Sequence, residues 1–218
     1  MDGNAKLDVL QDFEYFKSWY DFFFNVEKYV SQELLARIFC NAPSNVIDIL
    51  LHSPVTKTEF KKKLLSGCGL SVDANFDINS KIVRLIVTDL PILKKISMIV
   101  GAIFCYNDII KIISRKELSR IIDSIGKDMY SFIVKRGIML KKIIPNITIE
   151  YFGKDILEKI TVAGKRILCV ALVGLPTEIH KRLELFCGEK FDIPDQYNEA
   201  ISKKCFDLVM FARDKIVK

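Results

Sequence analysis

Histidine is almost missing: two residues, His52 and His180, in a chain of 218. A histidine-based nucleophile or zinc site therefore has few starting materials. His52 stands at a predicted helix end before Ser53-Pro54, and His180 beside Lys181 and Arg182 on a predicted exposed turn. The six cysteines (Cys40, Cys68, Cys105, Cys169, Cys187, Cys205) are scattered and form no Cys-x-x-Cys pair. Cys105 and Cys169 lie in apolar helical runs, where cysteine behaves as a small hydrophobe. The set reads as structural thiols rather than metal ligands or disulfides.

Long apolar runs are absent too. The longest, Ile96 to Tyr106 and Ile167 to Leu175, fall short of the roughly 20 residues a membrane span needs. Direct membrane insertion is therefore not expected, although half the residues are apolar and the mean hydropathy is +0.21. The amino terminus, MDGNAKLDVLQDFEYF, mixes acids and aromatics where a signal peptide has a basic start and an apolar stretch. The expected location is cytosolic.

The glycine and acid patterns of ligand loops are incomplete. Gly164-Lys165 lacks the upstream glycine of a phosphate loop, and Arg166 replaces its hydroxyl residue. Gly67-x-Gly69 lacks a third glycine and a preceding strand, and reads as a helix stop. The series Asp73, Asn75, Asp77, Asn79 begins like a calcium loop, but Ile78 and Arg84 stand where glycine and glutamate belong. No internal repeat or low-complexity tract is present. No catalytic residue, cofactor or metal ligand is assigned.

What is there is helical punctuation. Between Leu90 and Leu140 apolar residues recur three and four apart, as in Leu118, Ile121, Ile122, Ile125, Met129, Phe132 and Ile133. Ser114 with Glu117, and Thr56 with Glu59, have capping-box spacing, and Gly126 sits where a helix needs a left-handed terminal residue. Further helices are predicted over 31–40, 44–51, 79–88, 154–173, from Pro176 to Gly188, and from about Asp195 to the end. Residues 143–151 are the only β-like patch, and Pro145 limits it to an edge strand or connector. The expected fold is all-α, in one domain over 1–218. If it divides into lobes, these are 1–70 and 79–218, separated by a polar, mobile loop at 70–80. A chain this long buries roughly 70% of its unfolded surface without a metal or disulfide.

Two features invite partners. The first thirty residues are dense in aromatics, among them Trp19, Phe22 and Phe23, too closely spaced for one helical face. They read first as core packing and second as an aromatic docking surface. Lys61, Lys62 and Lys63 form the longest basic run, while the other basic residues come mostly in pairs, including Lys165-Arg166 and Lys181-Arg182. Pairs at helical spacing read as solvated helix backs. The net charge of +6 permits an acidic partner, a membrane face or nucleic acid without choosing one.

The run LPILKKISMIVGAIFCYNDIIKIISRKELSRIIDSIGKDMYSFIVKRG resembles the central region of the SctK proteins (the YscK, MxiK and OrgA group) of type III secretion systems. The likeness lies in Gly101, the pairs Ile109-Ile110 and Ile112-Ile113, Glu117-Leu118, Gly126, and Phe132-Ile133 before Arg136. A later block, GKRILCVALVGLPTEIHKRLEL, resembles the family's apolar helix, its Leu-Pro break and the basic-aliphatic helix ending near Leu183 and Leu185. The N-terminal quarter departs from the pattern, being richer in lysine, isoleucine and aromatics.

The resemblance implies an all-helical, non-enzymatic adaptor of the cytosolic sorting platform, peripheral to the inner membrane. It would link the cytoplasmic domain of an SctD-like ring protein to an SctQ-like pod protein, without nucleic acid, and be monomeric in isolation. Trp19, Phe22, Phe23, Lys61, Lys62 and Lys63 are then the candidate partner-binding residues. Two other readings are a helical nucleic-acid-binding or regulatory protein, which predicts steep salt dependence, and a thiol-dependent effector enzyme, which predicts a fast-reacting cysteine.

Overall fold

The computed structural model describes residues 3–71, 80–89, 92–141, 147, 149–151, 153, 155–187, 190 and 198–216. Every regular element among them is helical, as expected, and none is a strand. In chain order the α-helices are α1 (Gly3–Phe24), α2 (Gln32–Ile38), α3 (Ser44–His52), α4 (Lys57–Gly67), α5 (Lys81–Asp89) and α6 (Leu93–Phe104). They continue with α7 (Tyr106–Ile109), α8 (Arg115–Ile125), α9 (Lys127–Lys141), α10 (Ile156–Ala171), α11 (Thr177–Cys187) and α12 (Glu199–Ile216). A 3-10 turn, Val26–Lys28, follows α1. Several expected features lie outside the described residues: most of the loop at 70–80 with its acidic series, Gly188, and 143–146 with 148 of the β-like patch. Residues 147 and 149–151, the remainder of that patch, are not in a strand.

The chain forms two units, one from Met1–Thr88 with Leu175–Lys190, the other from Asp89–Gly174 with Phe191–Lys218.

In the first unit, capping explains where helices begin. Ser31 Oγ accepts the amide of Leu34 at 3.3 Å and starts α2. Helix α3 starts differently from expectation: Pro43 is its cap residue, and Ser44 is already helical. The predicted capping box of Thr56 and Glu59 does not form. Thr56 has helical φ and ψ, and its hydroxyl donates to the carbonyl of Leu50 at 3.0 Å, so it ties α4 back to α3. Helix α4 stops at Gly67, with Gly69 at φ +67°. The core of this unit gathers Val26, Leu35, Ile47, Phe60, Leu64 and Leu65, and Phe39 stacks on Phe60 with centroids 4.2 Å apart.

In the second unit the closest helix contact is α6 against α10. A Cβ on Gly101 would lie 2.0 Å from the carbonyl oxygen of Ile160, and one on Gly164 2.0 Å from that of Ser97. Residues 97 and 101 on one helix thus face 164 and 160 on the other, an antiparallel crossing with backbone touching backbone. Around it Ile96, Ile99, Val100, Ile103, Ile160 and Ile167 are wholly buried. Helix α12 packs on α10 and α6, and α9 packs on α6, α7 and α8. Ser114 caps α8 through the amide of Glu117, as its spacing predicts. Gly126 has the expected positive φ, +90°, but its ψ of 147° is extended, and α9 begins at the next residue. Asp155, not foreseen as a cap, starts α10 by accepting the amide of Leu157 at 2.9 Å.

Candidate partner-binding surfaces

Helix α1 sorts its aromatics by face. Phe22 and Phe23 are 2% exposed, and Trp19 is half-buried. Phe13, Phe16 and Tyr20, spaced three and four apart, are 62%, 52% and 47% exposed and form an outward stripe. Trp19 lies between the two sets, stacked on Phe16 at 5.8 Å and tilted against Phe23 at 5.2 Å. Its indole nitrogen is buried without a hydrogen-bond partner among the described residues. Of the three aromatics named from sequence, two therefore face inward, and the accessible aromatic surface is made by their neighbours.

The lysine run on α4 divides in the same way, because consecutive helical residues point about 100° apart. Lys61 turns inward. Its Nζ donates to the carbonyl of Phe24 at 3.2 Å and to Asn25 Oδ1 at 2.5 Å, and pairs with Glu27 at 3.2 Å. It is a clamp between α4 and the turn after α1. Lys62 is exposed and pairs with Glu59 at 2.8 Å, which raises its pKa. Lys63 is exposed, lies 5.5 Å above the Phe39 ring, and borders an open groove of about 510 Å³ with Leu34, Arg37 and Ile38.

One basic pair is not a solvated back. Arg182 on α11 is 4% exposed. It pairs with Glu178 at 2.9 Å, donates to the carbonyl of Ser71 at 3.3 Å, and lies 5.4 Å over the Phe23 ring. Glu178 one helical turn earlier neutralises it, and the aromatic face accepts its flat cation. Its burial lowers its pKa from the ordinary value. His180 sits within this helix, half-buried, rather than on an exposed turn.

The second unit carries a groove of about 330 Å³ where α6, α9 and α12 meet. Met129 and Phe132, both half-buried, give it apolar surface above the buried Ile99 and Ile125. Lys95, Lys127 and Lys215 come to it from the three helices, together with a single carboxylate, Asp128. Lys215 is held over two rings, 5.2 Å from the centroid of Phe132 and 5.5 Å from that of Phe211.

The thiols behave as packing groups. Cys105, Cys169 and Cys205 are buried, and burial pushes Cys205 up to about 11. Cys68 is half-buried and also raised by burial. Cys40 differs from these four. It is exposed, at φ +55° in the turn after α2, beside Asn41 at φ +59°. Among the described residues no three His, Cys, Asp or Glu side chains gather to hold a metal, and no helix is long and apolar enough to cross a membrane.

A family model described as YOP proteins translocation protein K (YscK) matches residues 17–203. No curated protein and no solved structure gave a match.

Proposed function

Because the chain belongs to the YscK family of type III secretion proteins, we propose that it is a non-enzymatic adaptor of the cytosolic sorting platform. In this reading it stands at the cytoplasmic face of the inner membrane. One surface engages the cytoplasmic domain of the SctD-like ring protein, and another engages the SctQ-like pod protein. The family match over most of the chain is the observation that carries the proposal. The structure supports it physically. Its apolar residues go into helix contacts as tight as that of Gly101 on Ile160, and its accessible features are surfaces: the α1 aromatic stripe, the groove beside Lys63 and the groove beside Lys215. An adaptor needs stiffness and separate faces, and asks no bond-making of its side chains.

The test is made in the secreting cell. Fluorescently labelled pod protein is imaged with the gene present, deleted and restored. Loss of membrane-associated pod foci on deletion, with the ring still assembled, is the expected result. Foci that persist unchanged would remove the adaptor reading.

A further inference from the structure

We infer that the groove between α6, α9 and α12 is the docking site for an acidic, apolar-faced segment of a protein partner. The inference rests on the adaptor reading and deepens it by naming a surface and the chemistry of what covers it.

The argument is one of complementarity. Three lysines from three helices ring the groove, and no carboxylate forms an ion pair with Lys95, Lys127 or Lys215 among the described residues. The start of α9 adds its positive helix end at the same place, and Gly126 brings no side chain to cap it. Between the cations lies apolar surface from the half-buried Met129 and Phe132. Cations around an apolar floor match a helix whose apolar residues are flanked by glutamate or aspartate. Lys215 is pre-positioned for this by its two rings, which restrict its side chain before a partner arrives.

Asp128 argues for a protein rather than a polyanion. A carboxylate on the rim opposes the unbroken negative charge of a phosphate backbone or an anionic membrane most, whereas a peptide can set its few acids on the lysines and away from Asp128. The volume, about 330 Å³, is the low end of the roughly 300–1,000 Å³ of small-molecule sites. It suits a few anchoring side chains.

The full chain is titrated with the pod protein and, separately, with the ring protein's cytoplasmic domain. Wild type is compared with the variant Lys95→Glu/Lys127→Glu/Lys215→Glu, with the three lysines changed to arginine, and with Asp128→Asn. Circular dichroism confirms that each variant is folded. The expected result is that charge reversal weakens binding of one partner by about ten-fold or more. The other partner binds as before, the arginine variant retains binding, and Asp128→Asn tightens it. If wild type binds a partner and the reversed variant binds both equally well, the groove inference is overturned while the adaptor reading stands.

If wild type binds neither, the adaptor reading fails. The groove is then judged with a synthetic amphipathic peptide of roughly four turns carrying leucines flanked by glutamates. Lysine-dependent binding supports the inference, and absent or lysine-independent binding overturns it. Lysine-dependent binding of phosphatidylglycerol vesicles or duplex DNA without such binding of partner or peptide also overturns it.

Discussion

Lys61 on α4 reaches back to Glu27, 3.2 Å away in the turn after α1, and both side chains are mostly buried. Its ammonium also satisfies the carbonyl of Phe24 and the side chain of Asn25. Removing it strands Glu27, whose Oε2 already has no hydrogen-bond partner among the described residues. Lys61→Ala is expected to lower stability by about 1–3 kcal/mol, the cost of leaving buried polar groups unpaired. Lys62→Ala, at an exposed ion pair, should leave the urea midpoint where it is. Equal midpoints for the two variants would contradict the inward assignment of Lys61. Partner binding through this run is therefore tested with Lys62 and Lys63 reversed and Lys61 left intact.

The crossing of α6 and α10 predicts an intolerance of added volume. Alanine normally helps a helix by up to about 1 kcal/mol over glycine. At Gly101 or Gly164 the new Cβ would meet a backbone oxygen, which cannot rotate away, so the helices must separate. Each Gly→Ala change is expected to lower stability by about 2 kcal/mol or more, read as a drop in melting temperature. An unchanged or raised melting temperature would refute the close approach.

Cysteine accessibility separates a scaffold from a thiol enzyme. Cys40, being exposed, should alkylate under native conditions. Cys105, Cys169 and Cys205 should react only on unfolding. Mass spectrometry after timed iodoacetamide pulses reads both. Rapid native labelling of a buried cysteine would favour thiol chemistry over this account.

Alkaline and acid stability have opposite origins. Cys205 is raised from 9.0 to about 11 by burial, so its contribution is complete below pH 9 and is lost as pH rises towards 11. Asp21 is held below its ordinary 3.8 by the hydrogen bond from Lys28, and Asp155 likewise by that from Arg120. Their contributions are present above pH 3.8 and are lost as pH falls through the depressed values. Urea midpoints should therefore fall on both flanks, and Cys205→Ala should flatten the alkaline one. An alkaline flank identical in that variant would remove Cys205 as a contributor.

Much of the fold was legible in the sequence because periodicity reports burial directly. Ile121, Ile125 and Ile133, picked out by spacing, are all buried. Ser114 caps its helix because its hydroxyl has the amide of Glu117 in reach. Thr56 has the same motif and does not cap, since a carbonyl six residues earlier captures its hydroxyl. That competition depends on the turn between α3 and α4, which the four-residue motif does not include.

The surfaces were less legible for a similar reason. A run of three lysines does not say which of them points inward. Phe22 and Phe23 differ from Phe16 only by helical phase. Arg182 looks like half of a solvated pair until Glu178, Ser71 and Phe23 are brought around it. The groove of Lys95, Lys127 and Lys215 joins residues up to 120 positions apart, which no spacing rule collects.

The most direct test of the adaptor account is the mass of the complex formed when the chain, the pod protein and the ring protein's cytoplasmic domain are mixed. Mass photometry should show a ternary species containing all three, and omission of the chain should leave the other two apart. Ring and pod components that join without it, or that compete for it so that only binary complexes form, would contradict the account.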